Sequence, residues 1–213
     1  MIYQVIVFDW DGTLVDSEAH IVASLQQAEK ALGLPVRTYE QNKDIIGLGL
    51  KEALIRLYPD LDEQGIDLLK QSYSRFFLSD AVPHGVFFDG VLDVLDQLKS
   101  QGKKLAVATG KSRRGLDRVL EQKGKIGYFD IERCADETMS KPHPMMLEQI
   151  IEFYGVTKDK VLMVGDTEYD LEMAVLCGVD SIGVSYGVHD VARLKKHRPV
   201  RVIDRFSEIL DLV

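Results

Sequence analysis

At 213 residues the chain is long enough for one sizeable core and a smaller appendage. Its 46% hydrophobic and 28% charged residues are ordinary for a globular protein, and a formal charge of −8 argues against a nucleic-acid-binding surface. No apolar run reaches the ~18–20 residues that span a bilayer, and no cationic region precedes the first apolar run. These features predict a cytoplasmic protein without a membrane partner.

The first predicted element is a strand, Val5-Ile6-Val7-Phe8, whose unbroken apolar run suits the middle of a parallel sheet. It stops at Asp9-Trp10-Asp11-Gly12-Thr13. If the chain stays extended there, Asp9 and Asp11 point to the same side. Two such carboxylates repel each other and are costly to desolvate unless they share a cation or a proton. Asp11-Gly12 taken alone is also an ordinary turn dipeptide.

From residue 18 the period changes. Ile21, Leu25, Ala28 and Leu32 recur at helical spacing, and Gly33 with Pro35 ends that run. Thr38 and Gln41 have capping-box spacing for a second helix. Gly47-Leu48-Gly49 is a turn, Leu50, Leu54 and Leu57 mark a third helix, and Ile66, Leu69, Tyr73 and Phe76 form the stripe of a fourth. Residues 18–82 therefore read as a helical unit, followed by a linker at Pro83-His84-Gly85.

Strands and helices then alternate. Predicted strands lie at 104–109, 131–135, 161–166 and 181–184, with a short one at 200–203. Helices fall around Val91–Leu98, from Ser112 to Lys123, over Met145–Tyr154, over Glu168–Cys177 and over Phe206–Leu210. This pattern predicts an α/β protein: a Rossmann-like parallel-sheet core from residues 1–17 and 83–213, with an inserted all-helical cap domain at 18–82. Cys134 and Cys177 lack metal-ligand spacing and read as buried, reduced side chains.

Ligands of open parallel sheets bind at the carboxyl ends of the strands. There the chain carries Asp9 and Asp11, then Thr109-Gly110-Lys111, then Ser140-Lys141-Pro142, then Gly165-Asp166-Thr167-Glu168-Tyr169-Asp170. Asp166 and Asp170, four apart, are expected on one face of a first helical turn.

In this order the four motifs resemble those of the haloacid dehalogenase-like (HAD) hydrolase superfamily, over essentially the whole chain. Asp9–Ser17 and Ser140-Lys141-Pro142-His143-Pro144 look most like the phosphoglycolate phosphatase and β-phosphoglucomutase branch, and the insert looks like a C1-type cap. Trp10 departs from the usual leucine; by alternation it faces away from the aspartates, so only packing is expected to differ.

The resemblance implies a Mg²⁺-dependent phosphatase acting on a small phosphorylated metabolite, and a monomer. Asp9 is the expected nucleophile, forming an aspartyl-phosphate. Asp11 is expected to protonate the leaving oxygen and then deprotonate water, which requires a proton on it at the start. Asp9, Asp166 and the Asp11 carbonyl are the expected Mg²⁺ ligands, with Asp170 in support. Thr109, the Gly110 amide and Lys141 are expected to hold the phosphoryl oxygens, so that removing Lys141 costs far more activity than stability.

Other positions carry weaker expectations. Lys51, in the turn where such caps present a substrate loop, is a specificity candidate. Arg113 and Arg114 follow the Thr109 loop and have the reach for a substrate carboxylate, although a solvated helix start explains them too. His143 reads as structural, and Tyr186 as a rim residue. A phosphosugar mutase would use the same motifs. A signalling receiver module also places acids, a threonine and a lysine at strand ends, but its phosphorylated aspartate lies on a middle strand of the sequence and it has no helical insert. Phosphoglycolate is the first substrate expectation, with sugar and nucleotide phosphates beside it.

Overall fold

The computed structural model describes residues 3–79 and 85–213. The predicted linker at 83–84 and the predicted boundary after residue 82 lie outside the described residues. Strand β1 (Val5–Phe8) is followed by a two-residue strand β2 (Val15–Asp16) and four helices: α1 (Glu18–Ala31), α2 (Tyr39–Lys43), α3 (Leu50–Leu57) and α4 (Glu63–Phe77). β3 (Val86–Phe87) pairs antiparallel with β2 and closes the insert's base. Then come α5 (Val91–Ser100), β4 (Lys104–Thr109), α6 (Arg113–Gln122), β5 (Ile131–Cys134) and α7 (Met145–Tyr154). The chain ends with β6 (Val161–Gly165), α8 (Glu168–Cys177), β7 (Asp180–Val184), α9 (Val191–Lys195), β8 (Arg201–Ile203) and a 3₁₀ segment over Phe206–Asp211. The β2–β3 ribbon and α9 were not foreseen, because elements of two to five residues carry too little periodicity to register. The predicted terminal helix is a 3₁₀ turn.

Six strands form one sheet in the order β5-β4-β1-β6-β7-β8, and every pair is parallel. β1 is central, and the sheet grows to both sides of it, so the order reverses there and the strand ends open a crevice. In register, Phe8 lies beside Val107 on β4 and Val164 on β6. The residues that follow, Asp9, Thr109 and Asp166, consequently emerge at neighbouring points. Both faces of the sheet are covered. Ile6 and Phe8 join Leu105, Val107, Leu162 and Val164 on one side, and Val5, Val7, Ala106, Ala108 and Met163 pack on the other.

The insert has its own core, in which Ile21, Leu25 and Ala28 of α1 meet Leu54 and Leu57 of α3 and Ile66, Leu69 and Phe77 of α4. Its helices start where the chemistry allows. Thr38 and Gln41 form the expected reciprocal capping box of α2, and Asp62 accepts the Gly65 amide at the head of α4 (2.8 Å). Trp10 is fully buried on the Ile6–Phe8 side, edge-on to Phe87 (5.8 Å between ring centres) and Phe129 (6.2 Å). Cys134 and Cys177 are buried and unbridged. Among the described residues no helix is long and apolar enough to cross a membrane.

Candidate active site

Asp9, Asp166 and Asp170 each offer a carboxylate oxygen, and these oxygens lie within 4.8 Å of one another, all buried. Lys141 sits among them with a fully buried side chain, its Nζ 2.9 Å from Asp9 Oδ1 and 2.6 Å from Asp170 Oδ1. Three carboxylates against one ammonium leave excess negative charge in a dry site. The consequences follow from electrostatics. Burial pushes the Asp9 carboxyl well above its usual range, against the pull of Lys141 and with the push of the other aspartates. Burial and the Asp170 carboxylate raise Asp166 to about 7, against hydrogen bonds from Val188 and Thr13. Burial alone would lower the Lys141 pKa, but the Asp170 and Asp9 carboxylates hold it above that of an ordinary lysine.

The second oxygen of Asp9, Oδ2, is buried with no hydrogen-bond partner, whereas Oδ1 accepts the Trp10 amide at 2.7 Å. A buried carboxylate oxygen left bare is costly and calls for an explanation. Together with the excess charge, it makes the donor set fit a hard divalent cation such as Mg²⁺.

The local sequence explains how these groups come so close. Thr13 Oγ donates to Asp166 Oδ1 (2.7 Å) and the Val188 amide to Oδ2 (2.9 Å), which fixes the carboxylate. A side chain at Gly187 would place a Cβ 2.3 Å from Asp166 Cβ, and one at Gly165 would lie 2.3 Å from Asp170 Cβ. Thr167 caps α8 in a reciprocal box with Asp170, and its hydroxyl bonds Asp170 Oδ2 at 2.7 Å. Asp166 therefore belongs to the loop before the helix, and only Asp170 lies in the first turn. Thr167-x-x-Asp170 is a capping-box spacing that the sequence displayed and the sequence reading passed over.

Asp11 does not continue the strand. The chain turns at Trp10, whose carbonyl accepts the amides of Leu14 and Val15, so the two aspartates acquire separate partners. Asp11 Oδ1 takes the Ser17 hydroxyl at 2.5 Å and lies 3.0 Å from Lys111 Nζ. Lys111 in turn sits 4.4 Å from the centre of the Phe77 ring, on the insert. Sequence reasoning misses Lys111, because its distance to Asp11 is set by tertiary structure alone.

Thr109 is buried at the end of β4, and its hydroxyl accepts the Lys111 amide (3.2 Å). A Cβ at Gly110 would fall 2.4 Å from the Leu48 carbonyl oxygen, so the insert's turn lies directly on the Thr109 loop. The Gly49 amide also donates to Ser140 Oγ (2.7 Å), next to Lys141. On the far side, Arg193 joins Asp44 of the insert to Glu168 of α8 (2.5 Å), and the Tyr169 hydroxyl donates to the Asp44 carbonyl (3.0 Å). Between insert and sheet lies a cavity of about 130 Å³ that Asp11, Gly110 and Lys111 border.

The remaining candidates divide. Lys51 is half-exposed on α3, 3.4 Å from Glu63, and does not border the cavity. Arg113 is engaged by Glu137 (3.0 Å), Glu132 (3.4 Å) and Asp117 (3.3 Å), while Arg114 borders the cavity. His143 is exposed, and its Nδ1 accepts the Met145 amide (3.2 Å). Tyr186 supports the β1 turn from behind, its hydroxyl donating to the Thr13 carbonyl (3.0 Å).

A central parallel strand ending in a buried aspartate, with two further acids and a lysine converging on it, makes a buried acidic site able to hold a divalent cation beside an anionic group. Residues 6–184 match the sequence model of the family described as "Haloacid dehalogenase-like hydrolase". The chain is 37% identical to "Probable phosphatase IndB" of Dickeya dadantii, over 96% of this chain and 91% of that one. It is 32% identical to the phosphoglycolate phosphatase of Agrobacterium fabrum, over 95% and 89% of the two chains. A crystal structure from Bacteroides fragilis, described as a haloacid dehalogenase-like hydrolase, superposes with a TM-score of 0.89 at 27% identity, covering 97% and 99%. The chain belongs to the haloacid dehalogenase-like hydrolase family and is a phosphatase of that family.

Proposed function

We propose that this protein is a Mg²⁺-dependent phosphatase that hydrolyses a small phosphate monoester through an aspartyl-phosphate on Asp9. The observation that carries the reading is Asp9 Oδ2: buried, without a partner, and beside two more carboxylates and the Lys141 ammonium. Asp9, Asp166 and the Asp11 carbonyl are the groups that would hold Mg²⁺, which when bound offsets the charge of the phosphoryl oxygens.

The chain's own residues do the rest. Asp9 attacks phosphorus, and the bond from phosphorus to the alcohol oxygen breaks. Asp11, on the cavity lining, gives the departing oxygen a proton. Once the alcohol has left, Asp11 takes a proton from water, which cleaves the aspartyl-phosphate and frees phosphate. Lys141 holds Asp9 in place and offsets charge on the phosphoryl group, and Thr109 with the Gly110 amide supplies further donors. The helical insert acts as the cap that keeps other water away.

The A. fabrum relative makes 2-phosphoglycolate the first compound to assay, with sugar and nucleotide phosphates next. The test is phosphate release with Mg²⁺ and with EDTA, and mass spectrometry of Asp9 during turnover. We expect release only with the metal, a phosphorylated Asp9 peptide, and none from Asp9→Asn. Full turnover by Asp9→Asn, or activity untouched by EDTA, overturns the proposal.

A further inference from the structure

We propose that the alcohol part of the substrate is a neutral, largely apolar group about the size of one aromatic ring, held in the cavity bordered by Asp11. This rests on the phosphatase reading of the same site. Asp11, which in that reading protonates the departing oxygen, is on the cavity lining, so the departing group is the part of the substrate placed to enter it. Its apolar walls come from the insert, from Ile21, Leu25, Ile45 and Ile46 with the Tyr73 and Phe77 rings, while the segment after β4 lines the rest. Its size, about 130 Å³, is close to the ~150 Å³ of dry cavities lined by Leu, Ile and Phe that take up benzene.

That lining discriminates by what it fails to offer. The several hydroxyls of a sugar would give up hydrogen bonds to water against walls that are mostly apolar, where Ser74 already donates to the Lys70 carbonyl and Ser112 already accepts the Gly115 amide. A carboxylate carried into it would lose its hydration against mostly apolar walls. Among the described residues two cations border the cavity, Lys111 and Arg114. The Lys111 ammonium is already engaged by Asp11 (3.0 Å) and by the Phe77 ring (4.4 Å). Arg114 is exposed and also borders the grooves outside, so it stands at the opening. A flat ring or a branched alkyl group, by contrast, gains contact with Tyr73, Phe77 and the isoleucines at once.

The test is kcat/KM with Mg²⁺ for benzyl phosphate, glucose 6-phosphate, glycerol 3-phosphate and 2-phosphoglycolate, all esters of alkyl-type alcohols, so that leaving-group acidity does not set the order. Benzyl phosphate is expected to lead by about tenfold or more. Leu50→Gln, which puts an amide on the cavity wall at a half-buried position, is expected to lower the benzyl-to-methyl phosphate ratio about tenfold, and Leu50→Met to keep it. If 2-phosphoglycolate or glucose 6-phosphate leads, or if the ratio ignores Leu50→Gln in a folded variant, this inference is overturned while the phosphatase reading stands. If none of the esters is hydrolysed, the phosphatase reading itself falls and takes the inference with it.

Discussion

Lys111 Nζ lies 3.0 Å from Asp11 Oδ1 and 4.4 Å from the centre of the Phe77 ring, so one lysine from the sheet side joins the Asp11 carboxylate to the helical insert. Its side chain is 7% exposed, so the contact is desolvated and stronger than a surface ion pair.

Lys111→Met keeps the apolar stem against Phe77 and removes the charge. We expect kcat to fall on the order of 10²-fold, the lower end of what a positioned acid–base group contributes, with KM changed much less. Lys111→Arg is expected to recover part of the loss. Steady-state kinetics beside thermal melts decide it: a melt lowered in proportion to kcat would mark Lys111 as purely structural.

Lys141→Met tests a pairing that burial makes stronger than the sequence suggested. With Lys141 fully buried between Asp9 and Asp170, its loss leaves carboxylates without a counter-charge. The cost in stability is expected to be about 3–5 kcal/mol at neutral pH without metal, alongside loss of turnover. Urea unfolding in EDTA measures it. A drop below about 1 kcal/mol, the size of a surface ion pair, would restore the expectation that activity alone suffers.

The raised pKa of Asp166, about 7 against an ordinary carboxyl near 3.8, sets a pH dependence. Between those two values the folded metal-free protein holds a proton that the unfolded chain has released. Stability from this group is therefore full below pH ~4 and declines as pH rises through about 7. In EDTA, the melting temperature of the wild type relative to Asp166→Asn should fall over that interval, and Mg²⁺ should flatten the fall. A difference that rises with pH would contradict the assignment.

Gly187→Ala places a Cβ 2.3 Å from Asp166 Cβ and 2.5 Å from the Gly12 carbonyl oxygen, contacts that backbone has to move to relieve. A displacement of about 1 Å at a reacting centre costs on the order of 10²-fold in rate, and we expect at least that loss. Phosphate-release assays on the folded variant provide the check, and wild-type rates would show that the loop yields without disturbing Asp166.

Much of this architecture could be read from the chain. The apolar run of β1, the alternation after residue 90 and the helical stripes of α1 and α4 are local patterns, because burial on a strand or on one helix face imposes a period on the sequence. The ends of β1, β4 and β6 likewise announced Asp9, Thr109 and Asp166, since polar residues that abruptly end buried strands need a reason to be there. The β2–β3 ribbon and α9 were too short to leave such a trace.

By itself, then, the sequence determined which side chains lie at the carboxyl ends of a parallel sheet, because hydrophobic period and chain order suffice for that. Only the tertiary structure decided which groups meet: Lys141 with Asp9 and Asp170, Lys111 with Asp11, Gly187 against Asp166, and Lys51 with Glu63 outside the cavity. The physical reason is that electrostatic and steric contacts act over a few ångströms between residues as far apart as 9 and 170. No period in the sequence encodes that distance; it is fixed only when the strands are laid side by side.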